Sequence, residues 1–530
     1  MFKAASFFKP VLFAMAFVAS FGAGAARADV TLGKLFSDNM MVQRNRPIRV
    51  WGKAAPGEAV VVTLAGKTAE TKADGKGAWI VELPPLAEGN NLELAVTAAN
   101  KLLLKNVIVG DIWLCSGQSN MEWTLAQCDG AEDAKAADLP MIRRVKFAHQ
   151  VATAAADEPP AGPWQVCTPQ TAGEFTAAGF HFARELQAKT GVPIGLLDDN
   201  WGGTAIEPWV APEGIASVAE LAKDAEARKQ AIENWRTQAL PRYLDDVDRW
   251  LVRARAESAA GGLLAAGPPA MPANPAAGGW SSIYNAMIHP IVRFPIKGVI
   301  WYQGESNGAE GESYFHKMRA LVEGWRKVWD QPEMPFYFVQ LASYQKPTDA
   351  PAGGDGWAKL REAQRKALEI PRTGMVVAID TVPLAVAGDI HPKNKVDLGM
   401  RLARWALHRD YGKADLVPSG PLFKGLKVEG DKVRLEFDHV GSGLMVGLKD
   451  GTRKPVVEEP TGKLKRFAIA GADKKWVWAD AAIDGRTVVV SSPEVKEPVA
   501  VRYAFSMNPD GANLFNREGL PASPFRTDDW

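Results

Sequence analysis

The sequence predicts the α/β fold class, with a doubly wound parallel sheet flanked by an N-terminal and a C-terminal β-sandwich. Three observations lead there. A chain of 530 residues is too long for one hydrophobic core, so two to four domains are expected. The middle of the chain alternates continuous apolar runs with amphipathic helical patterns, as parallel strands buried on both faces require. Both ends carry short β-branched runs separated by turn residues and lack helical periodicity.

The elements follow in order. Residues 29 to 105 read as the first sandwich, with strands in "IRVWGKA", "AVVVTLAG", "GAWIVELP" and "LELAVTAAN". Residues 106 to 413 read as the α/β domain. Its strands are "NVIVGDIWLC", "VPIGLLDDNW", "IKGVIWYQG", "MPFYFVQLAS" and "TGMVVAIDT". Its helices are "TAAGFHFARELQAKTG", "YFHKMRALVEGWRKVWD", "WAKLREAQRKALEI" and "NKVDLGMRLARWALHRD". A polar helical segment at about 212–280 interrupts it and ends in "GGLLAAGPPAMPANPAAGG". It reads as an inserted helical hairpin followed by a loop. From 414 to 530 the chain is β again, in "KVRLEFDHV", "LMVGLKDG", "RFAIAG", "TVVVSS" and "PVAVRYAF".

Composition narrows the function classes. Apolar residues make up 47% and charged residues 23%, ordinary values for a globular protein. A net charge of +1 gives no reason to expect nucleic acid or an anionic membrane as partner. Residues 1–28 read as a secretory signal: Lys3 and Lys9, a Phe- and Ala-rich run, then the small-x-small site Ala26-Arg27-Ala28. Export to the periplasm or beyond is expected, with no membrane span after signal removal. Export makes a disulfide possible. Of three cysteines, Cys115 lies within an apolar run, so Cys128 and Cys167 are the expected pair.

Ligands of a doubly wound sheet bind at the carboxyl ends of its strands. Polar residues collect at these ends. "CSGQSNM" brings Ser119 after the first strand, "DNWGG" brings Gly202 and Gly203 after the second, and "YQGESN" brings Gln303 and Glu305 after the third. "GDIHP" brings Asp389 and His391 after the last. A nucleophile, a base, a group to orient it and donors for an oxyanion are the set that acyl transfer needs. No histidine pair has metal-ligand spacing, so neither a catalytic metal nor another cofactor is expected.

"CSGQSNM", "NWGGT", "WYQGESN" and "DIHPKNK" together resemble the sequence blocks of SGNH hydrolases. The resemblance is closer to the carbohydrate-acetylesterase branch that includes sialate O-acetylesterases and acetylxylan esterases. The ending "ANLFNREGLPASPFRTD" is similar to that of the same branch. The resemblance implies an SGNH-like fold and an acetylated carbohydrate as substrate. It places the nucleophile on Ser119, with Ser116 as the rival, and the base on His391. Its oxyanion donors fall on the N–H groups of Ser119 and of Gly202 or Gly203, and on the Gln303 amide.

The orienting acid is Asp389 in Asp-x-His spacing, where many relatives show Asp-x-x-His. Asp380 is held in reserve. Asn120, Glu305, Trp123 and Trp201 are expected to support the site or bind substrate. With Trp209, Trp301 and Tyr302, the tryptophans beside the blocks favour a neutral sugar chain. Two other readings compete with a serine esterase: a carbohydrate-binding protein on a degenerate hydrolase core, and a glycoside hydrolase using Glu305 and Asp389 as paired carboxylates.

Overall fold

The computed structural model describes residues 29–530 apart from 265 and 277, so the signal expected at 1–28 lies outside the described residues. Seven strands make the sheet that carries the candidate site. They are β1 (Lys101–Gly117), β2 (Leu139–Lys146), β3 (Gln165–Cys167), β4 (Ile194–Asp198), β5 (Gly298–Tyr302), β6 (Phe336–Val339) and β7 (Thr373–Val376). Their order is β3-β2-β4-β1-β5-β6-β7. Every neighbouring pair is parallel except β3 with β2 at the edge. The continuous apolar runs are the reason: β4, β5, β6 and β7 are buried along their whole length.

Helices cover both faces. On one side α2 (Ala177–Thr190) and α5 (Lys395–Asp410) bring Phe180, Phe182, Leu398, Leu402 and Trp405 against Trp113, Leu196 and Ile300. On the other, α3 (Tyr314–Val328) and α4 (Gly356–Lys366) bring Met318, Leu321, Trp325 and Leu360 against Leu114, Val299 and Phe338. The helix starts are written in the sequence. The side chains of Thr176, Asp355 and Asn394 accept backbone N–H groups of α2, α4 and α5.

The first boundary differs from the sequence expectation. β1 runs unbroken across 105/106. Its first half pairs antiparallel with Gly89–Thr97 of the N-terminal β region, and its second half pairs with β4 and β5. The pattern changes where the burial does, from alternating exposure over 101–106 to full burial over 107–117. The backbone does not turn, because a strand can leave one sheet for another without a loop.

The insertion also differs. Ala222–Asn234 and Leu240–Ala259 are not a hairpin: a π turn, Trp235–Ala239, joins them in helical conformation throughout. Pro241 has no N–H for the helical ladder, and the wider turn lies just before it. None of these helical residues is buried. The expected disulfide is absent: Cys128 and Cys167 are buried free thiols within the same apolar cluster.

The C-terminal β region forms two four-stranded sheets and a three-stranded one. It is tied to the central sheet through a buried cation. The Arg361 guanidinium, fully out of solvent on α4, donates to the carbonyls of Leu341 and Ala342 below it and of Ser506 and Met507 across the junction. Arg361→Ala strands these carbonyls in a dry junction. It is expected to lower stability by about 3 kcal/mol or more, read from the urea unfolding midpoint. An unchanged midpoint would show that the junction does not depend on Arg361.

Candidate active site

The apolar run of β1 stops at Gly117 for a steric reason. Gly117 has φ +133°, and a Cβ there would lie 2.2 Å from the Tyr302 carbonyl oxygen on β5. Only glycine lets the two strand ends approach so closely. The chain then turns, with Gln118 N–H donating to the Tyr302 carbonyl at 2.9 Å, and starts the single-turn helix α1 (Ser119–Glu122). Ser119 is its first residue. Ser116 instead sits inside β1, fully buried, opposite Trp301 of β5.

Ser119 Oγ lies 2.9 Å from His391 Nε2. His391 Nδ1 lies 3.3 Å from Asp389 Oδ1, which also accepts the His391 backbone N–H at 2.9 Å. The i, i+2 spacing works because one carboxylate oxygen serves both nitrogens. Asp380 is engaged elsewhere, accepting both terminal nitrogens of Arg401 at 2.7 Å in a buried ion pair. The Trp123 indole stacks on the His391 ring at 4.5 Å, and Lys393 Nζ lies 3.6 Å from the Trp123 ring centre. Burial pulls the His391 pKa below its ordinary value. Asp389 pulls it up, and Lys395 and Lys393 add to the depression.

Behind Ser119 lies a polar network. Asn120 donates to Glu305 and to the Ile390 carbonyl, the latter at 3.0 Å, and accepts from Lys395. Asn120 thus ties the start of α1 to the end of β5 and to the residue before His391. Lys395 is fully buried, with a pKa pulled down to about 8 by burial. Burial likewise raises the Glu305 carboxyl. Lys395 was missed in the sequence. Its only signal is the last lysine of "HPKNK", four residues after His391, where a first-turn lysine looks like surface.

Gln303 is not brought to Ser119 with an N–H to spare. It is fully buried, and its Nε2 faces Gln118 Oε1 at 3.1 Å, Asn307 Oδ1 at 2.7 Å and the Thr204 carbonyl at 3.2 Å. Its Oε1 accepts from Tyr314 at 2.7 Å. Two N–H bonds facing three protein acceptors leave none for an oxyanion, so Gln303 braces the loops instead. The glycine pair is adjacent to the serine: a Cβ on Gly202 would lie 3.3 Å from Ser119 Cβ. The Gly202 N–H donates to Glu122 Oε2 at 2.6 Å. The N–H groups of Ser119 and Gly203 have no protein acceptor among the described residues.

Glu122 and His149 were also missed. His149 Nε2 lies 2.7 Å from Glu122 Oε1, and its ring stacks on Trp201 at 4.6 Å. Glu122 follows Ser119 by three residues, one helical turn, which is the signal that was available. The sugar platforms expected at Trp209, Trp301 and Tyr302 are not there: all three are buried in the core. The cores packed on both sheet faces consume those rings.

Comparison with known proteins identifies the family. The family model for the carbohydrate esterase, sialic acid-specific acetylesterase, matches residues 109–240 and 269–408. The chain is 29% identical to the sialate O-acetylesterase of Rattus norvegicus, over 92% of this chain and 93% of that one. It is 28% identical to that of Homo sapiens, over 92% and 91%. The crystal structure of a carbohydrate acetylesterase from Xanthomonas citri superposes with a TM-score of 0.77 at 38% identity, covering 95% of this chain and 100% of that one. The chain therefore belongs to the sialic acid-specific acetylesterase family of carbohydrate esterases and is a carboxylic ester hydrolase.

Proposed function

We propose that this protein is an exported serine esterase of the SGNH type that removes O-acetyl groups from carbohydrates through an acetyl-enzyme. The observation that carries the reading is the contact of Ser119 Oγ with His391 Nε2 at 2.9 Å, with Asp389 on the other ring nitrogen. The blocks at the ends of β1, β4 and β5 and on the loop after β7 support an SGNH-like sheet. The composition of residues 1–28 supports export, and no helix among the described residues is long and apolar enough to cross a membrane.

Ser119 Oγ attacks the acetyl carbonyl while His391 Nε2 takes its proton. Asp389, on Nδ1, fixes the tautomer and stabilises the imidazolium. The charge formed on the carbonyl oxygen is held by the N–H groups of Ser119 and Gly203. On collapse the sugar oxygen leaves with the proton from Nε2. Water, losing a proton to His391, then attacks acetyl-Ser119; acetate departs and Ser119 regains its proton. Glu305 and Asp389 do not form an acid–base pair across an open cleft, since Glu305 is held against Asn120 with Oε2 buried.

Acetate release from O-acetylated sialic acid and from acetylated xylan, measured side by side, tests the substrate. Lys393, whose Nζ lies over the Trp123 ring that stacks on His391, is the cation proposed to meet a sialate carboxylate. The Rattus norvegicus and Homo sapiens relatives are, by name, sialate O-acetylesterases, and the Xanthomonas citri one is a carbohydrate acetylesterase. Release from neither would refute carbohydrate deacetylation.

Ser119→Ala is expected to reduce p-nitrophenyl acetate turnover by several orders of magnitude with the fold kept, as loss of a nucleophile does. Ser116→Ala is expected to stay active. The opposite pattern would move the nucleophile to Ser116.

The pH profile is the second check. The working form of His391 is neutral, so kcat/KM rises as the free enzyme loses that proton. Since burial depresses its pKa, the acid limb is expected below the ordinary histidine value of about 6.5. Asp389→Asn removes a group that raises this pKa. It is expected to move the limb further down while the plateau falls strongly. A limb above that ordinary value, or a plateau untouched by Asp389→Asn, would sink the assignment.

A further inference from the structure

Resting on the serine-esterase reading, we infer that Glu122 is the positioning residue that holds the Gly202-Gly203 turn in register with Ser119, and that His149 braces it. Four contacts close a ring around the nucleophile. Glu122 Oε2 accepts the Gly202 N–H at 2.6 Å, and Glu122 Oε1 faces His149 Nε2 at 2.7 Å. The His149 ring lies parallel to Trp201 at 4.6 Å, with an interplanar angle of 6°. The Trp201 N–H donates to the Gly117 carbonyl at 3.0 Å, two residues before Ser119.

The ring answers a specific difficulty. An oxyanion donor must hold its place to within about 0.5 Å. The donor here sits on two consecutive glycines, the residues with the greatest backbone freedom. Gly203 is exposed, with φ +75° and open space where a Cβ would be. The N–H of the Gly202 peptide is pinned from the α1 side, by a carboxylate one turn beyond Ser119, while the carbonyl of the same peptide, that of Trp201, accepts the Thr204 hydroxyl at 2.7 Å. The Glu122 N–H donates to the Gln118 carbonyl at 3.0 Å, which fixes the base of that side chain. Nucleophile and glycine turn are thereby held by the same helical turn. The bond also divides the two glycines: Gly202 is spent on the clamp, and Gly203 keeps its N–H for the substrate. Glu122 touches neither substrate carbonyl nor Ser119 Oγ, so its role is positional.

The test is steady-state kinetics of Glu122→Ala, Glu122→Asp, Glu122→Gln and His149→Ala on p-nitrophenyl acetate, with melting temperatures and Ser119→Ala alongside. Glu122→Ala is expected to lower kcat by about tenfold or more, part of the 10²–10³ that loss of a whole oxyanion donor costs. Its KM should stay within about twofold, because the donor acts on the transition state. Glu122→Asp, one methylene too short to reach Gly202, should behave like Ala and carries the test if Ala misfolds. Glu122→Gln keeps an acceptor oxygen at the same reach and should recover most of kcat. His149→Ala should fall between Gln and Ala. An unchanged or raised kcat in Glu122→Ala at wild-type melting temperature overturns the inference, as does a Gln variant no better than Ala. If Ser119→Ala remains active, it is the serine-esterase reading that fails instead.

Discussion

The site depends on the contact between two strand ends. β1 and β5 run parallel up to Gly117 and Tyr302, and there the backbones come so close that no side chain fits between them. β1 cannot continue past that point as a strand with a side chain. It turns, hands its next N–H to the Tyr302 carbonyl, and begins a helical turn on the residue after Gln118. The serine is consequently the first residue of a helix at the carboxyl edge of a parallel sheet. Its own N–H is among those that a helix start leaves without an internal partner. A larger residue at 117 would displace both the serine and the loop carrying Gln303.

Around this turn the protein has placed polar groups where a core would ordinarily be apolar. Gln118, Gln303 and Asn307 interlock over the end of β5. Asn120, Glu305 and Lys395 interlock on the His391 side. Such buried networks are costly unless nearly every group is satisfied, and they are correspondingly rigid when satisfied. Here the Asn120 amide holds the Ile390 carbonyl, and with it a histidine borne on an exposed loop, while Glu305 Oε2 has no protein partner among the described residues. The buried lysine has an electrostatic consequence as well. Together with desolvation it favours neutral imidazole, the form able to take a proton from serine.

Much of this was legible from the sequence. Strands buried on both faces leave long apolar runs, and capped amphipathic helices leave periodic ones, so the alternation is visible without coordinates. The four short blocks are legible because each follows an apolar run at the edge where parallel sheets bind ligands. The pairings across the site were less legible. Gln303 has the residue type of an oxyanion donor, and only the positions of Gln118, Thr204 and Asn307 show that its N–H bonds are already engaged. His149 lacks any neighbouring carboxylate in sequence and finds one in space, at Glu122. Tryptophans beside the blocks look like sugar platforms until packing shows which are core.

What the sequence by itself determined is the class of chemistry and the order of elements: an α/β sheet with β regions on either side, and a serine, a glycine pair and an Asp-His pair brought to one edge. These follow from local pattern and residue type. Tertiary structure alone decided which atoms meet. It divided Asp389 from Asp380 by giving Asp380 to Arg401. It divided Gly203 from Gly202 by giving the Gly202 N–H to Glu122. It left Cys128 and Cys167 as separate buried thiols. The reason is the same in each case: hydrogen bonds and ion pairs form over a few ångströms between residues tens to hundreds of positions apart, a distance that no local pattern encodes.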